Sequence, residues 1–561
     1  MNCAEYIAER ISREDIECVF GYQGGSISDV IEAVSMHDKL KYLQAYHEQG
    51  ACFEAEAYAR VNGKLGVCLV TNGPGLTNAV SAITDAYCDF VPLLVISGQV
   101  KTTDCNKNPD VRQNAFQEID SERLASSITK YAHTIRSVEE VEVELERAIS
   151  VALEYPRGPV LLDIPLDIQK AEMVFAGARI GDVVPRSEKN GWDTSKNQLK
   201  NIVALLETAK KPVIVAGGGI RQGDAITEFQ SFTMTTGIPV VRTLAGLDII
   251  TENDFGFSGL YGDVCANLAL YHSDLLIVLG SRLAKRQVGI PAKYAPKASV
   301  IHVDVNPAEF NHVLNAQVAV CDEVKHFLNQ INKYISEKNL HLCYSEWIDW
   351  LKSEKEKHHD DVEFNNGEEL QPVTALRHLS GILNRDAVVT LDVGQNQMWC
   401  AQGLNPGRDW RVLSSGGLGC MGFSLPSAIG AYYATKRPVY AFMGDGGSQM
   451  NIQELQSIGA NQLPIKVIIF NNDGLGMIQE VQMKFAGGRY YGSKEGYASL
   501  DYCKIAAAYG LEYHSCDTNE NITDSKLQEL LCNDKPVLIE FHLKGNPMRL
   551  LTMYDNIDIY Q

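Results

Sequence analysis

Cys-x-x-Cys pairs are absent from this 561-residue sequence, although it contains fourteen cysteines. Most of these cysteines lie within apolar runs such as GVCLVT, so we expect reduced cytosolic thiols and no zinc or redox site. An excess of basic residues is absent as well, because the formal charge is −20 at pH 7. Nucleic acids and anionic membranes favour proteins with clustered Lys and Arg, and neither is therefore expected as a partner.

Long apolar runs are also missing. No stretch approaches the roughly 18–20 apolar residues that are needed to cross a bilayer. The N-terminal segment MNCAEYIAERISREDIECVFG interleaves charged and apolar residues at helical spacing, which is not the pattern of a secretory signal. With 45% hydrophobic and 21% charged residues, the composition is that of an ordinary enzyme. We expect a soluble, cytoplasmic protein.

Short β-branched runs alternate with helical patterns from one end of the sequence to the other. Continuous apolar runs such as PLLVISG, PVIVAGGG, PVYAFMG and PIKVIIF predict parallel strands that are buried on both faces. The predicted fold class is α/β, with three doubly wound parallel-sheet domains. Polar stretches around 175–195 and 340–368 mark the predicted breaks, and the second carries His358 and His359 in a charged run that predicts a solvated linker. The predicted domains span residues 1–175, 190–338 and 366–561.

The stretch GDGGSQMNIQELQSIGANQLPIKVIIFNNDG joins two predicted strands that both end in polar side chains. Asp445 follows the first strand and Asn472 the second, and ligands of open α/β sheets gather at such carboxyl ends. A carboxylate, an amide oxygen and a nearby carbonyl are hard ligands that suit Mg²⁺. Five glycines would let backbone N–H groups approach a phosphate: Gly444, Gly446, Gly447, Gly474 and Gly476. Tight turns would explain a lone Gly-Asp-Gly more simply, so the prediction of Mg²⁺ on a diphosphate depends on further motifs.

Gly-Asp-Gly followed by Asn-Asn about two dozen residues later resembles the diphosphate motif of thiamine diphosphate (ThDP) enzymes. That family also uses a glutamate near the N-terminus, which hydrogen-bonds the aminopyrimidine N1′ and so promotes loss of the weakly acidic C2 proton. The segment YLQAYHEQGACFEAEAYAR supplies Glu48 at the start of a predicted helix, on one face with Ala55 and Ala59. Alone, Glu48 would be a favourable first-turn carboxylate. Together with the distant motif, it is the predicted catalytic residue.

The resemblance extends over nearly the whole chain and is closest to the acetolactate synthase group. The segments HEQGA, TNGPGLTNAVSAITDAYCDFVPLLVISGQV and NAFQEID resemble its first domain. The segments LDVGQNQMW, GGLGCMGFSLPSAIGA and FNNDGLGMIQ resemble its last domain. As an ordered set these motifs are specific, whereas each of them alone is weak.

The resemblance implies roles for individual residues. Met421 would bend ThDP into a V, the backbones of Gly419 and Met421 would hold its pyrimidine ring, and Gln117 would face the substrate. By itself, Met421 would be explained as a residue that fills a gap in the core. The implied Mg²⁺ ligands are Asp445, Asn472 and the carbonyl of Gly474. The other implied diphosphate-site residues are Gln395, Asn396, Gly444, Gly446, Gly447, Gly476 and Met477, and the implied substrate pocket contains Gly25, Ser26 and Val481.

The resemblance also implies an assembly. Because Glu48 and Asp445 fall in different predicted domains, the family architecture puts each active site between two subunits. A homodimer or a homotetramer is expected, and the sequence does not reveal a regulatory subunit. The other expected partners are small molecules, namely a 2-oxoacid and a carbonyl acceptor.

The segment PVIVAGGGIRQGD invites a dinucleotide-binding interpretation but departs from the usual pattern. Gly-x-Gly-x-x-Gly fails because Gln222 occupies the third glycine position counted from Gly217. The surrounding segments instead resemble the FAD-binding domain of acetolactate synthases. The matching positions are Gly217, Gly218, Thr243, Leu244, Gly259, Arg282, Arg286, Asp304 and Asp322. Tyr261 in place of His and Ala284 in place of Asp leave the retention of FAD open, and bound FAD would be structural.

The resemblance implies decarboxylation of a 2-oxoacid, pyruvate, followed by carboligation to a second carbonyl. Simple decarboxylases of the superfamily carry a His-His pair in the first domain, whereas residues 95–120 of this chain contain no His. For a biosynthetic acetolactate synthase, the pathway would be that of the branched-chain amino acids. Four departures from the acetolactate synthase pattern indicate a changed acceptor: Gln23 for Pro, Ser26 for Ala, Leu166 for Lys and Val481 for Trp.

Three alternatives stay open on the sequence. The first is a carboligase that uses a keto-sugar acceptor. The second is a non-ligating 2-oxoacid decarboxylase or an acyl-transferring lyase on the same scaffold. The third, a catalytically silent protein with the ThDP fold, is disfavoured because Glu48, Asp445 and Asn472 are all present.

Overall fold

The computed structural model of the chain describes residues 1–106, 108, 110–175, 194–358 and 370–543. These residues form three six-stranded sheets, and every paired strand in each sheet is parallel to its neighbour. Helices flank all three sheets. The predicted α/β class with three doubly wound domains is therefore confirmed.

The first domain has the strand order β2-β1-β3-β4-β6-β5. Its strands are β1 (Cys18–Gly21), β2 (Lys41–Gln44), β3 (Gly66–Val70), β4 (Leu93–Gln99), β5 (Tyr131–Thr134) and β6 (Pro159–Pro165). Its helices are α1 (Cys3–Ser12), α2 (Ser28–Met36), α3 (Glu48–Asn62), α4 (Pro74–Cys88), α5 (Ser121–Ala125), α6 (Glu140–Leu153) and α7 (Leu166–Lys170). The residues of β3, β4 and β6 are buried throughout, as expected for central parallel strands.

The central domain has the strand order β12-β11-β10-β7-β8-β9. Its strands are β7 (Pro212–Ala216), β8 (Val240–Arg242), β9 (Asp254–Phe257), β10 (Leu275–Leu279), β11 (Ser299–Asp304) and β12 (Val318–Cys321). Its helices are α8 (Lys196–Thr208), α9 (Gly219–Gln222), α10 (Ile226–Thr236), α11 (Val264–His272), α12 (Lys285–Val288), α13 (Pro291–Tyr294), α14 (Val324–Glu337) and α15 (Ser345–Lys357), with 3₁₀ turns at Leu244–Gly246 and Pro307–Glu309. The strand order reverses between β7 and β10, which is where a doubly wound sheet binds a dinucleotide.

The last domain has the strand order β14-β13-β15-β16-β18-β17, which repeats the order of the first domain. Its strands are β13 (Val388–Leu391), β14 (Arg411–Ser414), β15 (Val439–Gly444), β16 (Ile465–Asn471), β17 (Glu512–Cys516) and β18 (Val537–His542). Its helices are α16 (Pro372–Ser380), α17 (Gln395–Gly403), α18 (Ser424–Thr435), α19 (Asp445–Met450), α20 (Leu455–Ala460), α21 (Gly476–Phe485), α22 (Tyr502–Tyr509), α23 (Asn519–Ile522) and α24 (Ser525–Cys532), with a 3₁₀ turn at Ile452–Glu454. Its order reverses between β13 and β15, so ligands are expected beyond those two strand ends.

The first and last domains share one apolar core, whereas the central domain has a core of its own. Helix α3 packs along α18, and the rings of Phe53 and Phe423 meet edge to face at 5.4 Å between centroids. A Cβ atom at Gly430 would overlap the carbonyl of Glu54, so this glycine permits the close approach of the two helices. The two outer domains are therefore joined by packing as well as by the chain.

The charged segment that was predicted to be a linker is helical over much of its length. Helix α15 spans Ser345–Lys357, and its Trp347 and Leu351 are buried in the core of the central domain. The linker prediction is wrong for these residues, because apolar residues four apart let one face of a charged helix pack. Most of the break predicted near 175–195, together with His359, lies outside the described residues.

Among the described ranges, no helix is both long enough and apolar enough to cross a bilayer.

Candidate active site

Three oxygen atoms meet at the carboxyl ends of β15 and β16. Asp445 begins α19 directly after β15, and its side chain is buried. Asn472 follows β16, and its amide oxygen lies 2.8 Å from the carbonyl oxygen of Gly474 and 3.1 Å from Asp445 Oδ1. The other carboxylate oxygen of Asp445 accepts the N–H of Gly474 at 3.0 Å. The three predicted Mg²⁺ ligands are thus neighbours in the fold.

This oxygen cluster fits a divalent cation. Octahedral Mg²⁺ with metal–oxygen distances of about 2.0–2.1 Å separates adjacent ligand oxygens by about 2.9 Å, close to the distances around Asn472. Without a cation, the opposite orientation would be preferred, since the amide nitrogen of Asn472 could then donate to both oxygens. That nitrogen instead donates to Gln395 Oε1 at 3.2 Å. With the amide oxygen on this side, a carboxylate, an amide and a carbonyl oxygen lie together, which is a donor set that suits Mg²⁺.

The environment of Asp445 also favours a nearby cation. Burial raises the pKa of this carboxyl to about 6, although hydrogen bonds from Tyr497 and from the N–H of Gly474 act in the opposite direction. A divalent cation would stabilise the ionised carboxylate and offset its loss of hydration.

Asn396 is a buried amide whose two polar atoms have no hydrogen-bond partner among the described residues. An unsatisfied buried amide is costly, so its burial is explained best by a polar ligand beside it. Gly394, with φ 147°, and Gly444 leave room there: a Cβ atom at either position would come 3.4 Å from Asn396 Oδ1 and 3.8 Å from Asn396 Nδ2, respectively. The amide nitrogen is a suitable donor for a diphosphate oxygen.

The remaining residues predicted to surround the diphosphate lie at the same sheet edge. A Cβ atom at Gly447 would overlap Asp392 Oδ1, and one at Gly476 would overlap Gln395 Oε1. These two glycines therefore serve close packing of the site's own side chains. Gly446 faces Met421, whose Cε would lie 3.4 Å from a Cβ atom there, and Met477 packs at the edge of the last domain's core.

The loop that carries Gly419 and Met421 is held by two residues that the sequence motifs did not identify. Ser415 Oγ accepts the N–H groups of Gly419 at 3.0 Å and Cys420 at 2.8 Å. Asp392, which is fully buried, accepts the N–H groups of Gly422 and Ser424, each at 3.0 Å. Because the Gly419 N–H is occupied by Ser415, its carbonyl is the group that could contact a pyrimidine ring. Asp392 stands in the quoted motif LDVGQNQMW, which was the available signal.

Ser415 is in turn anchored by the first domain. Its Oγ donates to Asp85 Oδ1 at 2.5 Å, and Gly416 N–H donates to Asp89 at 2.9 Å. Burial, followed by the nearby Asp89, raises the pKa of Asp85 to about 7. Glu56 completes this acidic cluster, and Arg60 pairs with Glu56 at 3.3 Å and with Asp89 at 3.6 Å. The cluster fixes the loop under Met421 across a domain boundary.

Glu48 is the first residue of α3 and is buried. Its Oε2 accepts a hydrogen bond from Asn78 Nδ2 at 2.9 Å, and within the described part of the chain Asn78 is its hydrogen-bond partner. His47 caps the helix, since its Nδ1 accepts the N–H of Gln49 at 3.1 Å. A carboxylate in the first helical turn is stabilised by the helix dipole. Glu48 and Asp445 belong to separate hydrogen-bonded clusters in the single chain.

Glu454 is a further residue that sequence reasoning missed. From the last domain, its two carboxylate oxygens accept the N–H of Tyr46 at 3.1 and 3.2 Å, and Gly50 makes room for it. Asn451 Nδ2 donates to Gln49 Oε1 at 3.2 Å. The segment that follows Asp445 therefore also holds the N-terminus of the helix that carries Glu48. Because these partners are some 400 residues apart, no local pattern could have revealed the contact.

The substrate residues predicted in the first domain come together around Asn72. Ser26 Oγ lies 2.8 Å from Asn72 Oδ1, and Asn72 Nδ2 donates to the carbonyl of Gln117 at 3.1 Å. Gln117 has a left-handed backbone with φ 63° and follows Phe116, which is 85% exposed. Gly25 faces open space. Val481 lies on α21 of the last domain and is half exposed, so it belongs to a different cluster in the single chain.

A cavity of about 820 Å³ opens at the point where the central sheet reverses its strand order. A Cβ atom at Gly217 would overlap the carbonyl of Gly280, and one at Gly219 would approach its Cα to 2.7 Å, so the ends of β7 and β10 touch. Burial lowers the pKa of Arg286 on the cavity wall, and its guanidinium donates to Gln397 Oε1 at 3.3 Å. The described residues provide this arginine with no carboxylate partner within 4.0 Å, which fits an anionic or aromatic ligand.

The residues predicted for FAD divide into two groups. Those that line the cavity are Gly218, Thr243, Leu244, Arg282, Arg286 and Asp304, and the substituted Tyr261 and Ala284 line it too. Gly217 lies in the tight crossing, and Gly259 adopts φ 131° beside Gln287. Asp322 is buried away from the cavity wall, where it accepts from Thr194 at 2.7 Å and contacts His326 at 2.8 Å. The size and position of the cavity fit a dinucleotide.

Comparison with known proteins gives the same division into three parts. The N-terminal TPP binding domain of thiamine pyrophosphate enzymes matches residues 1–124, the central domain matches 199–331, and the C-terminal TPP binding domain matches 392–541.

Similar proteins span nearly the whole chain. The acetolactate synthase large subunit of Lactococcus lactis is 34% identical over 551 residues, which are 96% of this chain and 92% of that protein. The acetolactate synthase isozyme 2 large subunit of Escherichia coli is 34% identical over 546 residues, 96% of this chain and 95% of that protein. The probable acetolactate synthase large subunit of Methanococcus aeolicus is 34% identical over 571 residues, 99% of this chain and 93% of that protein. The chain therefore belongs to the ThDP-dependent enzymes, in the family of the acetolactate synthase large subunits.

Proposed function

We propose that the chain catalyses ThDP- and Mg²⁺-dependent decarboxylation of pyruvate and joins the resulting two-carbon unit to a second carbonyl compound. The observation that carries this proposal is the oxygen cluster of Asp445, Asn472 and Gly474, beside the unsatisfied amide of Asn396. Kinship with acetolactate synthase large subunits supports the same reaction class. A non-ligating decarboxylase is not favoured, because residues 95–120 offer no histidine for proton management.

In this proposal, Asp445, Asn472 and the Gly474 carbonyl hold Mg²⁺, while Asn396 and Gln395 contact the diphosphate. When bound, ThDP supplies a thiazolium ring that stabilises the carbanion left by the departing CO₂. Met421, on the loop that Ser415 and Asp392 hold, would support the bound cofactor.

Glu48 is the proposed catalytic residue. Asn78 holds one of its carboxylate oxygens, and the other would be the one to share a proton with the aminopyrimidine of bound ThDP. The backbone of the same helix turn is fixed by Glu454, so the carboxyl group is preorganised for this contact.

We further propose that two copies of the chain form each active site, as a homodimer or as part of a homotetramer. Glu48 and Asp445 lie in separate clusters of one chain, so a second copy would complete the site by bringing Glu48 to the cofactor held at Asp445. Large apolar side chains on the last domain are exposed in the isolated chain, namely Ile478, Met483, Phe485 and Tyr491. A second copy that covers them would remove this apolar surface from water.

FAD is the proposed ligand of the central cavity. The cavity volume, its place at the reversal of strand order and the partly buried Arg286 support this assignment. Carboligation after decarboxylation requires no net redox change, so the flavin would be structural. We place the proposed domain limits at 1–175, 190–338 and 366–561, and add α15 (Ser345–Lys357) to the central domain because Trp347 and Leu351 are buried in its core. We place the protein in the cytoplasm, where its fourteen free cysteines would stay reduced.

A product assay tests the proposed reaction. The purified full-length chain is incubated with pyruvate, ThDP and Mg²⁺, and then with pyruvate plus a range of aldehydes, 2-oxoacids and keto sugars. We expect acetolactate or another carboligation product to accumulate as pyruvate is consumed. Release of acetaldehyde as the main product, or no loss of pyruvate, would contradict the proposal.

A further inference from the structure

A chain of three side chains leads from helix α21 to the oxygen cluster. Glu480 Oε1 accepts a hydrogen bond from Gln395 Nε2 at 2.6 Å. Gln395 Oε1 accepts one from Asn472 Nδ2 at 3.2 Å. The amide oxygen of Asn472 then faces Asp445 and the Gly474 carbonyl. Glu480 and Gln395 are both buried, so water competes little for these bonds.

These hydrogen bonds have a direction that is set by Glu480. An ionised carboxylate accepts hydrogen bonds and cannot donate them, whereas either end of an amide can face a given neighbour. Glu480 therefore requires the NH₂ group of Gln395, which leaves the oxygen of Gln395 to face Asn472. That oxygen in turn requires the NH₂ group of Asn472, and the Asn472 oxygen is left towards Asp445.

The opposite arrangement would satisfy the hydrogen bonds of Asn472 taken alone. If both amides turned over, Asn472 could donate to the Gly474 carbonyl and to Asp445 Oδ1, which would satisfy its nitrogen. The oxygen of Gln395 would then face the carboxylate of Glu480 at the present 2.6 Å, which is repulsive. The oxygen of Glu480 that lies 2.6 Å from Gln395 thus opposes the arrangement in which Asn472 offers a nitrogen to the cation site.

Helix α21 is shaped for this contact. Gly476 lies one turn before Glu480, and a Cβ atom there would overlap Gln395 Oε1 and come 2.7 Å from Asn472 Nδ2. The glycine and the carboxylate four residues later therefore form one face that admits Gln395 and orients it.

We propose that Glu480 is a positioning residue of the divalent-cation site. Through the amide of Gln395, it orients the amide of Asn472 so that the oxygen of Asn472 faces the cation. The inference rests on the proposed Mg²⁺ site and adds a residue that acts on the metal ligands through Gln395. Neighbours that orient metal ligands typically change metal affinity by about 10–100-fold when they are removed. We expect the hydrogen bonds from Glu480 through Gln395 to Asn472 to change the cation affinity of the resting protein by a similar factor.

The test measures Mn²⁺ in place of Mg²⁺, by the electron paramagnetic resonance signal of free Mn²⁺ with the full-length chain and saturating ThDP. Glu480→Met should weaken Mn²⁺ binding about 10–100-fold. Glu480→Gln, which keeps an oxygen that can accept from Gln395, should stay closer to the unmodified protein. Glu529→Met is the matched control, because Glu529 is an exposed glutamate of the same domain.

A second background distinguishes orientation from a general loss of structure. In N472D, a carboxylate oxygen faces the cation site whichever way Gln395 turns, so adding Glu480→Met should not weaken Mn²⁺ binding further. The proposal is overturned if Glu480→Met binds Mn²⁺ as the unmodified protein does, or if it weakens binding equally in the N472D background. The proposed Mg²⁺ site itself fails separately, if the unmodified protein and Asp445→Ala bind Mn²⁺ alike.

Discussion

At the scale of single residues, the surroundings of Glu48 distinguish it from an ordinary first-turn carboxylate. Asn78 holds one of its oxygens at 2.9 Å. The other oxygen lies beside Gly75, where a Cβ atom would come within 3.3 Å of it. Gly75 thus lets α4 pack closely on Thr71, whose Cγ2 would lie 2.7 Å from a Cβ atom there, and on Glu48. A residue that served only the helix dipole would need neither feature.

Glu48→Gln should leave ThDP affinity nearly unchanged and lower kcat by about 10²–10⁴-fold, because an amide cannot share the proton that N1′ requires. The measurements are ThDP titration in the presence of Mg²⁺, steady-state kcat, and hydrogen–deuterium exchange at C2 of bound ThDP. Asn78→Ala, which removes the donor to Oε2, should show a smaller loss. Near-normal exchange and turnover in Glu48→Gln would remove Glu48 from the catalytic role.

Val481→Trp should narrow the range of accepted acceptors while pyruvate decarboxylation is spared. Val481 is 47% exposed in the single chain, and a ring at this position would fill space beside an incoming acceptor. An apolar pocket discriminates one methylene by only about 1–3 kcal/mol, so the unmodified protein should show little preference between pyruvate and 2-oxobutyrate. Competition assays with the two oxoacids check this. A strong 2-oxobutyrate preference in the unmodified protein would show that Val481 does not shape the pocket.

At the scale of elements, the site depends on contacts between strand ends and helices that lie far apart in the sequence. Segment 445–454 begins at the metal site and ends at Glu454, which holds Tyr46 just before α3. The loop under Met421 is held by Asp85 of α4 through Ser415. Side chains of the last domain therefore hold the helix that carries Glu48, and side chains of the first domain hold the loop that carries Met421.

Gly430→Ala should lower the free energy of unfolding by about 1–3 kcal/mol, the usual effect of inserting a methyl group into a packed interior. The reason is that the new Cβ atom would overlap the carbonyl of Glu54 and force α3 and α18 apart. Chemical denaturation measures the change. Gly381→Ala is the control, since a Cβ atom there meets nothing closer than 3.4 Å. Equal stability of the two variants would show that the helices can separate without cost.

Whether a feature of the fold or the site was predictable depends on how far apart in the sequence the interacting residues lie. The strands around Asp445 and Asn472 were predictable, because continuous apolar runs specify buried parallel strands and their carboxyl ends specify the site. The roles of Glu454 and Ser415 were not, because their partners lie hundreds of residues away. Helix α15 was missed because its charge run masked the apolar face around Trp347.

At the scale of the whole molecule, buried carboxyl groups are spread through the domains and bear on stability. Burial raises the pKa of Asp163 to about 7, Asp392 to about 6 and Glu454 to about 8. A carboxyl whose pKa is higher in the folded state binds its proton more tightly there than in the unfolded chain. Each such group therefore makes the folded state less stable as pH rises from about 4 to its folded pKa.

Asp163→Asn should flatten the pH dependence of stability between about pH 4 and 7. In the unmodified chain, the free energy of unfolding falls as pH rises through this window. The reason is that the folded protein holds the proton of Asp163 more tightly than the unfolded chain does and must give it up. The asparagine has no such proton, and its oxygen can still accept from Gln99 Nε2. Urea denaturation of both proteins, without added cofactors, measures the difference. If the free energy of unfolding of the two proteins changed with pH in the same way between about pH 4 and 7, the raised pKa of Asp163 would be contradicted.

The purified protein should be yellow, with flavin absorbance from one FAD in each central cavity. Arg286→Met should lower FAD affinity, because this partly buried guanidinium on the cavity wall fits an anionic or aromatic ligand. Absorbance spectra before and after reconstitution with FAD provide the measurement. A colourless protein that stays colourless after reconstitution would remove FAD from its cofactors.

The core shared by the first and last domains has a mechanical consequence. Helices α3 and α18 approach too closely at Gly430 for either to tilt on the other, and the apolar cluster is continuous across them. A hinge between the two domains would therefore have to expose this shared apolar core to water. Any displacement that admits substrate or releases product falls to loops such as the one that bears Phe116 and Gln117, or to a change in the angle between one copy of the chain and another.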